Sequence, residues 1–539
     1  MSKLNPKNYA VEVREVALSE NGNLQFVKGP AHVLFETVVA TLYGKDGFYE
    51  GSDERVDRMK LSLKQLIAQN GIKGSEFAGR VAVFARHDMH IRTMPIIMVV
   101  ELTAALREAK LNDPGMRKLV ADVIQRADQI TDLYSYALTV FGDKKFIPLA
   151  IKKGVADAFN KFDAYQFGKY NRDGAVKFRD LLRVTHPTPD SEVRQVIFNK
   201  IMTETLEAPY TWEVELSANG QKPEGERKSD KEMWETLLAR KGSGEVGYMA
   251  LLRNLRNIVK AGVDREILDS VLARIANPVQ VMRSKQLPWA FIAAYDAARQ
   301  ASLPQNVLSA ISDAADVAIG NIPAIGLRPW IIMDTSGSML NFSYHRLGAG
   351  KLDRSHENTS PAKIAAIFAA ALVKSSKKSD TFKVTTFANS AKHLDGPHAL
   401  NPNDSIISLY EQIMRHVSGG GTNVESALNL KSTLGFEPDS VVVLSDMEVN
   451  RVSGYYHQKL PISPNFAKKF DKDAVLLAVN LDSGGSTPLD PRDGWTQLAG
   501  FSPKIFEYVD FKRNSDSIVE KLITGELPKI YGAEDPDAE

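Results

Sequence analysis

From residue 30 to residue 320, apolar residues recur at helical spacing in one segment after another, and strand-like alternation is scarce. AHVLFETVVATLYG, SDERVDRMKLSLKQLIAQN, SEFAGRVAVFARHD and MPIIMVVELTAALREAK each carry an apolar stripe over several turns. Short punctuation such as Asn70-Gly71 and Asn112-Asp113-Pro114 separates them. Two helices and a turn make a unit of about 35–45 residues, which cannot bury its apolar face alone and must stack on its neighbours. The expected fold of this half is an α-helical, HEAT-like solenoid. One stretch departs from the pattern. TWEVELSANGQKPEGERKSD alternates at first, then turns polar with Gly and Pro, so residues 211–246 are predicted as a non-helical excursion, a short ribbon.

After Pro329 the pattern changes. RPWIIMD, DTFKVTTFAN, SVVVLSD, DAVLLAVNLD and KIFEYVD are short β-branched or apolar runs. SPAKIAAIFAAALVKSS, SIISLYEQIMRHV and NVESALNLKS lie between them as helices. Such alternation predicts an α/β, Rossmann-like domain with a parallel sheet covered on both faces. The chain therefore divides into a helical module over 1–328, an α/β domain over 329–525 and an acidic tail over 526–539.

Several functions are excluded by composition. The chain has 539 residues and no cysteine, so disulfide scaffolds, thiolate metal sites and cysteine nucleophiles are ruled out. Its first residues lack the apolar core of a secretory signal, and no run reaches about 18 uncharged apolar residues, so a soluble cytoplasmic protein is expected. The net charge of +1 hides an asymmetry. Residues 1–328 hold 45 Lys and Arg against 40 Asp and Glu, and the remainder holds 22 against 26. A mildly basic helical half can bind phosphates where its charges gather on one face.

At the strand ends of the α/β domain lies a hard oxygen-donor set. Asp334-Thr335-Ser336-Gly337-Ser338 follows the first strand, Gly419-Gly420-Gly421-Thr422 precedes a helix, and Asp446 closes SVVVLSD. Asp334, Ser336, Ser338, Thr422 and Asp446 offer two carboxylates and three hydroxyls, a set suited to a divalent cation such as Mg²⁺. In doubly wound sheets, ligands bind at these carboxyl ends. The order and spacing match the DxSxS…T…D metal-ion-dependent adhesion site of von Willebrand factor A domains, which the second domain resembles. A partner's carboxylate can complete such a site.

Three basic sets stand out in the helical half. Lys169, Arg172, Arg179, Arg183 and His186 lie within eighteen residues, with Arg179 and Arg183 at i, i+4 on FRDLLRV and His186 before Pro187, where the helix should end. Arg253, Arg256 and Lys260 are spaced by three and four. Arg80, Arg86, His87, His90 and Arg92 form the third set. On successive repeats such residues can line a concave surface and follow an RNA backbone. The plain alternative is solvated helix faces paired with local acids such as Asp180. His87 and His90 lack a third partner for zinc.

The helical half resembles the TROVE module, and the whole chain resembles a prokaryotic or phage-type member of the Ro autoantigen family. The resemblance rests on KYNRDGAVKFRDLLRVTHP at 169–187, MALLRNLRNI at 249–258 and the succession of helical array and A domain. It implies a ring of helical repeats closed by the A domain, small noncoding Y RNA on the outer surface, and single-stranded 3′ ends of misfolded RNA in a basic central hole. It also implies a role with an exoribonuclease in RNA maturation or decay. The family's RNA-contacting lysine and histidine align directly with Lys169 and His186, and its arginine reaches Arg172 after a shift of one residue. Arg253 and Arg256 are cavity candidates from their spacing.

The leading expectation is a non-catalytic RNA-binding protein that scaffolds Y-like RNA and captures misfolded RNA. Its runner-up is a Mg²⁺-dependent protein-interaction scaffold working through the A-domain site. No catalytic residue is expected, since metal-assisted hydrolysis needs a poised base or second metal and Glu448 is the only further carboxylate close by. P-loop, HExxH and GxSxG motifs are missing. A ring made by one chain needs no partner subunit, so a monomer without membrane attachment is expected.

Overall fold

The structure is a computed structural model. It describes residues 16–18, 24–27, 29–39, 52–88, 91–170, 176–207, 211–242, 245–284, 286, 288–321, 328–340, 360–376, 381–447, 470–471, 474–481, 486–487, 489 and 494–499. Among these, α-helices follow one another from Pro30–Val39 to Gln305–Ala318. The helical periodicity of the sequence thus becomes a helical array, held by one apolar core that runs from Ala31 through Leu119, Phe159 and Ile258 to Ala318. Its helices approach closely where side chains permit. A Cβ added at Gly154, in Leu149–Phe159, would come within 2.6 Å of the Val120 Cβ in Met116–Val123. None of the described helices is long and apolar enough to cross a membrane.

The segment 211–246 is not the non-helical excursion expected. It carries helices Trp212–Gln221 and Asp230–Leu238. The Thr211 side chain accepts from the Val214 N–H, and Ser229 with Glu232 forms a reciprocal capping box. These caps start both helices despite the alternating WEVEL pattern. Trp212 stacks on the buried Trp234, with ring centroids 6.2 Å apart, which returns the segment to the array.

Strands β1 (Val16–Leu18), β2 (Leu24–Val27), β3 (Pro329–Asp334), β4 (Lys383–Phe387), β5 (Ala391–His393), β6 (Ser440–Ser445), β7 (Val475–Asn480), β8 (Ser486–Thr487) and β9 (Trp495–Ala499) form two sheets. The larger has the order β5-β4-β3-β6-β7-β9. All neighbours in it are parallel except the edge pair β4 and β5, which is an antiparallel hairpin. β3 and β6 are buried along their whole length, as their unbroken apolar runs require. The period of two divides their side chains between two cores. Ile331, Met333, Val442 and Leu444 join the large core, while Trp330, Ile332, Val441 and Val443 join a second one with Phe387 and Trp495. The Ala-rich helix Pro361–Ser375, capped by Ser360, packs on β3. KIFEYVD and the acidic tail lie outside the described residues.

Two junctions join the helical array to the α/β domain. At one, helix Gln305–Ala318 packs on helix Ile406–Met414, and Asp316 accepts both the Ile406 N–H and the Lys374 ammonium at 2.8 Å. Arg299 reaches Glu411 at the same distance. At the other, the N-terminal ribbon β1–β2 takes β8 as its third strand, with Phe26 opposite Thr487, and helix Pro30–Val39 touches β9.

Candidate metal centre and candidate nucleic-acid interface

All five predicted metal-site residues converge at the carboxyl ends of β3 and β6. Asp334 is the last residue of β3, Asp446 follows β6, and the two strands are paired in parallel. The Ser336 N–H donates to Asp334 Oδ1 at 2.8 Å, and the Ser445 hydroxyl donates to Asp334 Oδ2 at 2.6 Å. Ser336 and Ser338 place their hydroxyls 3.1 Å apart. The Gly419–Thr422 loop is tied to the same place, because the Gly419 N–H donates to Thr335 O and the Gly337 N–H donates to Gly420 O, each at 2.9 Å. Gly420 has φ +103°, and a Cβ there would stand 3.0 Å from Asn389 Nδ2, so glycine is required. Ser445 is a site residue that the motif spacing does not reveal. Its position one residue before Asp446 is the available signal.

The donor set fits a hard divalent cation. Asp334, Ser336, Thr422 and Asp446 are each at most 2% exposed. Burial, followed by the charge of Asp446, pushes the Asp334 carboxyl up to about 7. Two buried acids that penalise each other's charge, ringed by hydroxyls, form an arrangement that a bound cation relieves. Glu448 lies outside the described residues.

In the helical half the first basic set is held by a cluster of phenylalanines. Phe167 meets Phe178 edge-on at 5.2 Å and Phe159 face-on at 5.7 Å, and Phe198 closes on Phe159. This fixes helices Ala164–Tyr170 and Phe178–Thr185, the first carrying Lys169 and the second ending at His186. His186 caps its helix in the left-handed region, at φ 47°, donating its N–H to Leu182 O, and it is exposed. Arg183 is exposed as well, whereas Arg179 is bound to Glu204 at 2.8 Å. Arg172 lies outside the described residues.

The third set separates into core and surface. Arg86 is buried and donates to Val123 O, Ile91 O and Gln129 Oε1 at 2.8, 3.2 and 2.9 Å. Arg80 is likewise buried, so neither faces a ligand. His87 pairs with Asp122 at 3.2 Å, and that hydrogen bond raises its pKa. His90 lies outside the described residues. Arg92 is exposed and belongs to a group that sequence spacing did not reveal. Burial, then the like charges of Arg126 and Arg253, lower its pKa, and Tyr170 also acts on it. Arg126 lies over the Tyr170 ring, 4.9 Å from its centroid, and is held by Asp128 through bonds of 3.0 and 2.6 Å. Arg126 and Arg253, from other parts of the array, thus lie within electrostatic reach of Arg92, and Arg126 rests on an aromatic face. Arg256 is exposed on the helix that carries Arg253.

The architecture defines the class: a helical-repeat array joined to an α/β domain with an acid- and hydroxyl-lined loop site. Residues 200–307 match the TROVE domain model, a span that includes the two helices of 212–238. Over 91 residues, 17% of the chain, it is 35% identical to mouse (Mus musculus) telomerase protein component 1 and 34% identical to the rat (Rattus norvegicus) protein. The match spans only 3% of the length of those relatives. The crystal structure of the Deinococcus radiodurans Ro (RSR) protein shares the fold at a TM-score of 0.53 and 18% identity, covering 86% of this chain and 93% of that one. Together these findings show a TROVE-like segment within a chain that shares the fold of a Ro protein.

Proposed function

We propose that the protein binds RNA without catalysing its cleavage. The observation that carries this reading is Arg126 seated on the Tyr170 ring, with Arg92 under the like charges of Arg126 and Arg253. Like charges gathered from three segments, with Asp128 offsetting one of them, are stabilised by a polyanion, and a tyrosine face offers stacking to an unpaired base. The TROVE match and the Ro-like fold suggest RNA as that ligand. In this reading Lys169 and His186, with Arg172 and Arg183, contact a small Y-like RNA on the outer surface. Arg253, Arg256 and the arginine group take single-stranded ends of misfolded RNA, and the bound RNA is presented for quality control or to an exoribonuclease. The β2–β8 pairing, together with the Asp316 junction, supports closure of a single chain into a monomeric ring. A cytoplasmic location goes with this role.

Asp334, Ser336, Ser338, Thr422 and Asp446 would hold Mg²⁺ in a von Willebrand A-type site. When bound, that ion supplies charge neutralisation and a coordination position for a partner's carboxylate. The buried acid pair favours this second, protein-binding role of the α/β domain alongside RNA binding.

RNA crosslinked to the native protein and sequenced tests the reading. Lys169→Ala with His186→Ala should remove a dominant small structured RNA. Arg126→Gln should weaken oligouridine binding and lower the salt slope by about one. Protein that carries no RNA and shows no salt-dependent binding to structured RNA with a 3′ tail refutes it, and leaves the Mg²⁺-dependent scaffold.

A further inference from the structure

A cavity of about 460 Å³ opens beside the candidate metal loop. Thr335, between Asp334 and Ser336, forms one wall. Asn389, Ser390 and Lys392 of the β4–β5 hairpin form a second, and His416 with Ser418 begins the third, which continues into the Gly419–Gly420 turn. The walls are fixed to one another. The Gly421 N–H donates to Asn389 Oδ1 at 2.8 Å, the Asn423 N–H donates to Ala388 O at 2.8 Å, and Gly419 is bonded to Thr335 as described. The same loops therefore shape both the cavity and the metal site, so an occupant of one lies in set register with the other.

The chemistry of the lining selects an anion. Lys392 and His416 are its titratable groups, hydroxyls and an amide supply further hydrogen-bonding groups, and no carboxylate is among the described residues that line it. Arg415 adjoins His416, and the His398 ring meets the His416 ring edge-on at 4.8 Å. One lysine and one protonatable histidine lining a pocket suit a single side chain rather than a polynucleotide. A nucleic-acid track needs charges in a line and aromatic faces, and no Phe, Tyr or Trp is among the described residues that line this cavity. We propose that the cavity receives an acidic side chain of a protein partner docked beside the metal loop, with Lys392 and His416 as its recognition residues.

The proposal stands apart from the RNA reading and does not require a bound metal. Burial, then Lys392, His398 and Arg415, keep the free His416 below the ordinary histidine value. A carboxylate arriving beside it favours the imidazolium, so binding takes up a proton and strengthens as pH falls from about 8 to about 6.

The test titrates full-length protein with a fluorescein-labelled tetraglutamate peptide, in EDTA and in excess Mg²⁺, reading anisotropy. At pH 6 in EDTA, His416→Ala should weaken binding about tenfold, the loss of one charge-assisted contact, and Lys392→Glu, which also adds repulsion, by more than that. His416→Ala should also flatten the pH dependence. Equal affinity of wild type and Lys392→Glu overturns the proposal, as does failure of the peptide to bind wild type in EDTA. A loss by Lys392→Glu confined to oligouridine, with the peptide unaffected, assigns the surface to nucleic acid and also overturns it. Mn²⁺ binding, followed in parallel by electron paramagnetic resonance, reports on the metal site separately. Its failure would remove the metal reading while the EDTA arm still decides the cavity.

Discussion

Arg86→Leu sets lost hydrogen bonds against relief of a buried charge. The guanidinium satisfies three acceptors, Val123 O, Ile91 O and Gln129 Oε1, within a site where the residue is 7% exposed. Stripping a buried acceptor of its donor costs about 1–3 kcal/mol, so the three together represent about 3–9 kcal/mol. Against this, burial and the charges of Arg92 and Arg126 lower the Arg86 pKa from 12.5 to about 10. Holding its charge therefore costs the fold about 3 kcal/mol, which leucine relieves. At the middle of that range, about 6 kcal/mol, the hydrogen bonds outweigh the charge, and a net destabilisation of about 3 kcal/mol is expected, local to the repeats joined by these bonds. Hydrogen exchange of the amides of helix Ile72–His87 is the suitable assay, because a chain of this size need not unfold in one step. Opening should become about 150-fold more frequent, the same energy expressed as an equilibrium constant. Unchanged or slower exchange would refute the reasoning, since desolvation of the charge would then outweigh its hydrogen bonds.

Three further outcomes are expected. Ser229→Ala removes the capping box of helix Asp230–Leu238 and should weaken that helix by about 1 kcal/mol, seen as faster exchange of its first-turn amides. His87 has its pKa raised by Asp122, so its pairing adds stability that is fully present below the ordinary histidine pKa and fades as pH rises through the raised one. His87→Gln should flatten the pH dependence of Tm there, by an amount within about 1 kcal/mol for a partly exposed pair. Mg²⁺ should raise the Tm of wild type by mass action, about 2.7 kcal/mol at one hundred times Kd, and should leave that of Asp334→Asn unmoved. Equal Mg²⁺ shifts in both proteins would remove the ion from these five residues.

The sequence made the larger architecture readable because both halves obey simple periods. Helical spacing from 30 to 320 and buried apolar runs after Pro329 leave few alternatives, and Asp334, Ser336, Ser338, Thr422 and Asp446 converge because strand ends are where a parallel sheet collects its loops. The segment after Thr211 defeats its sequence pattern for a local reason. WEVEL has the strand period, and the Thr211 and Ser229 caps, which decide the matter, are single residues in a polar stretch. Arginine is harder to read. Arg86 and Arg92 are six residues apart and look alike in sequence, yet one bonds three core acceptors and the other is exposed. Arg126 escapes sequence reasoning because its partners, Tyr170 and Arg92, come from other repeats, and no spacing within one helix encodes that meeting.

The pairing of Phe26 with Thr487 makes nearly the whole chain one closed loop. Its entropic cost grows only slowly with length, but the strands that seal it have four and two residues. Such a seam is among the last contacts to form and the first to part, well before either core yields. It would act as a latch. On the proposed reading, in which RNA passes through a ring, a circular polynucleotide, which has no end to thread, would enter only when β2 and β8 separate, and a covalent link across Phe26 and Thr487 would restrict entry to molecules with a free end.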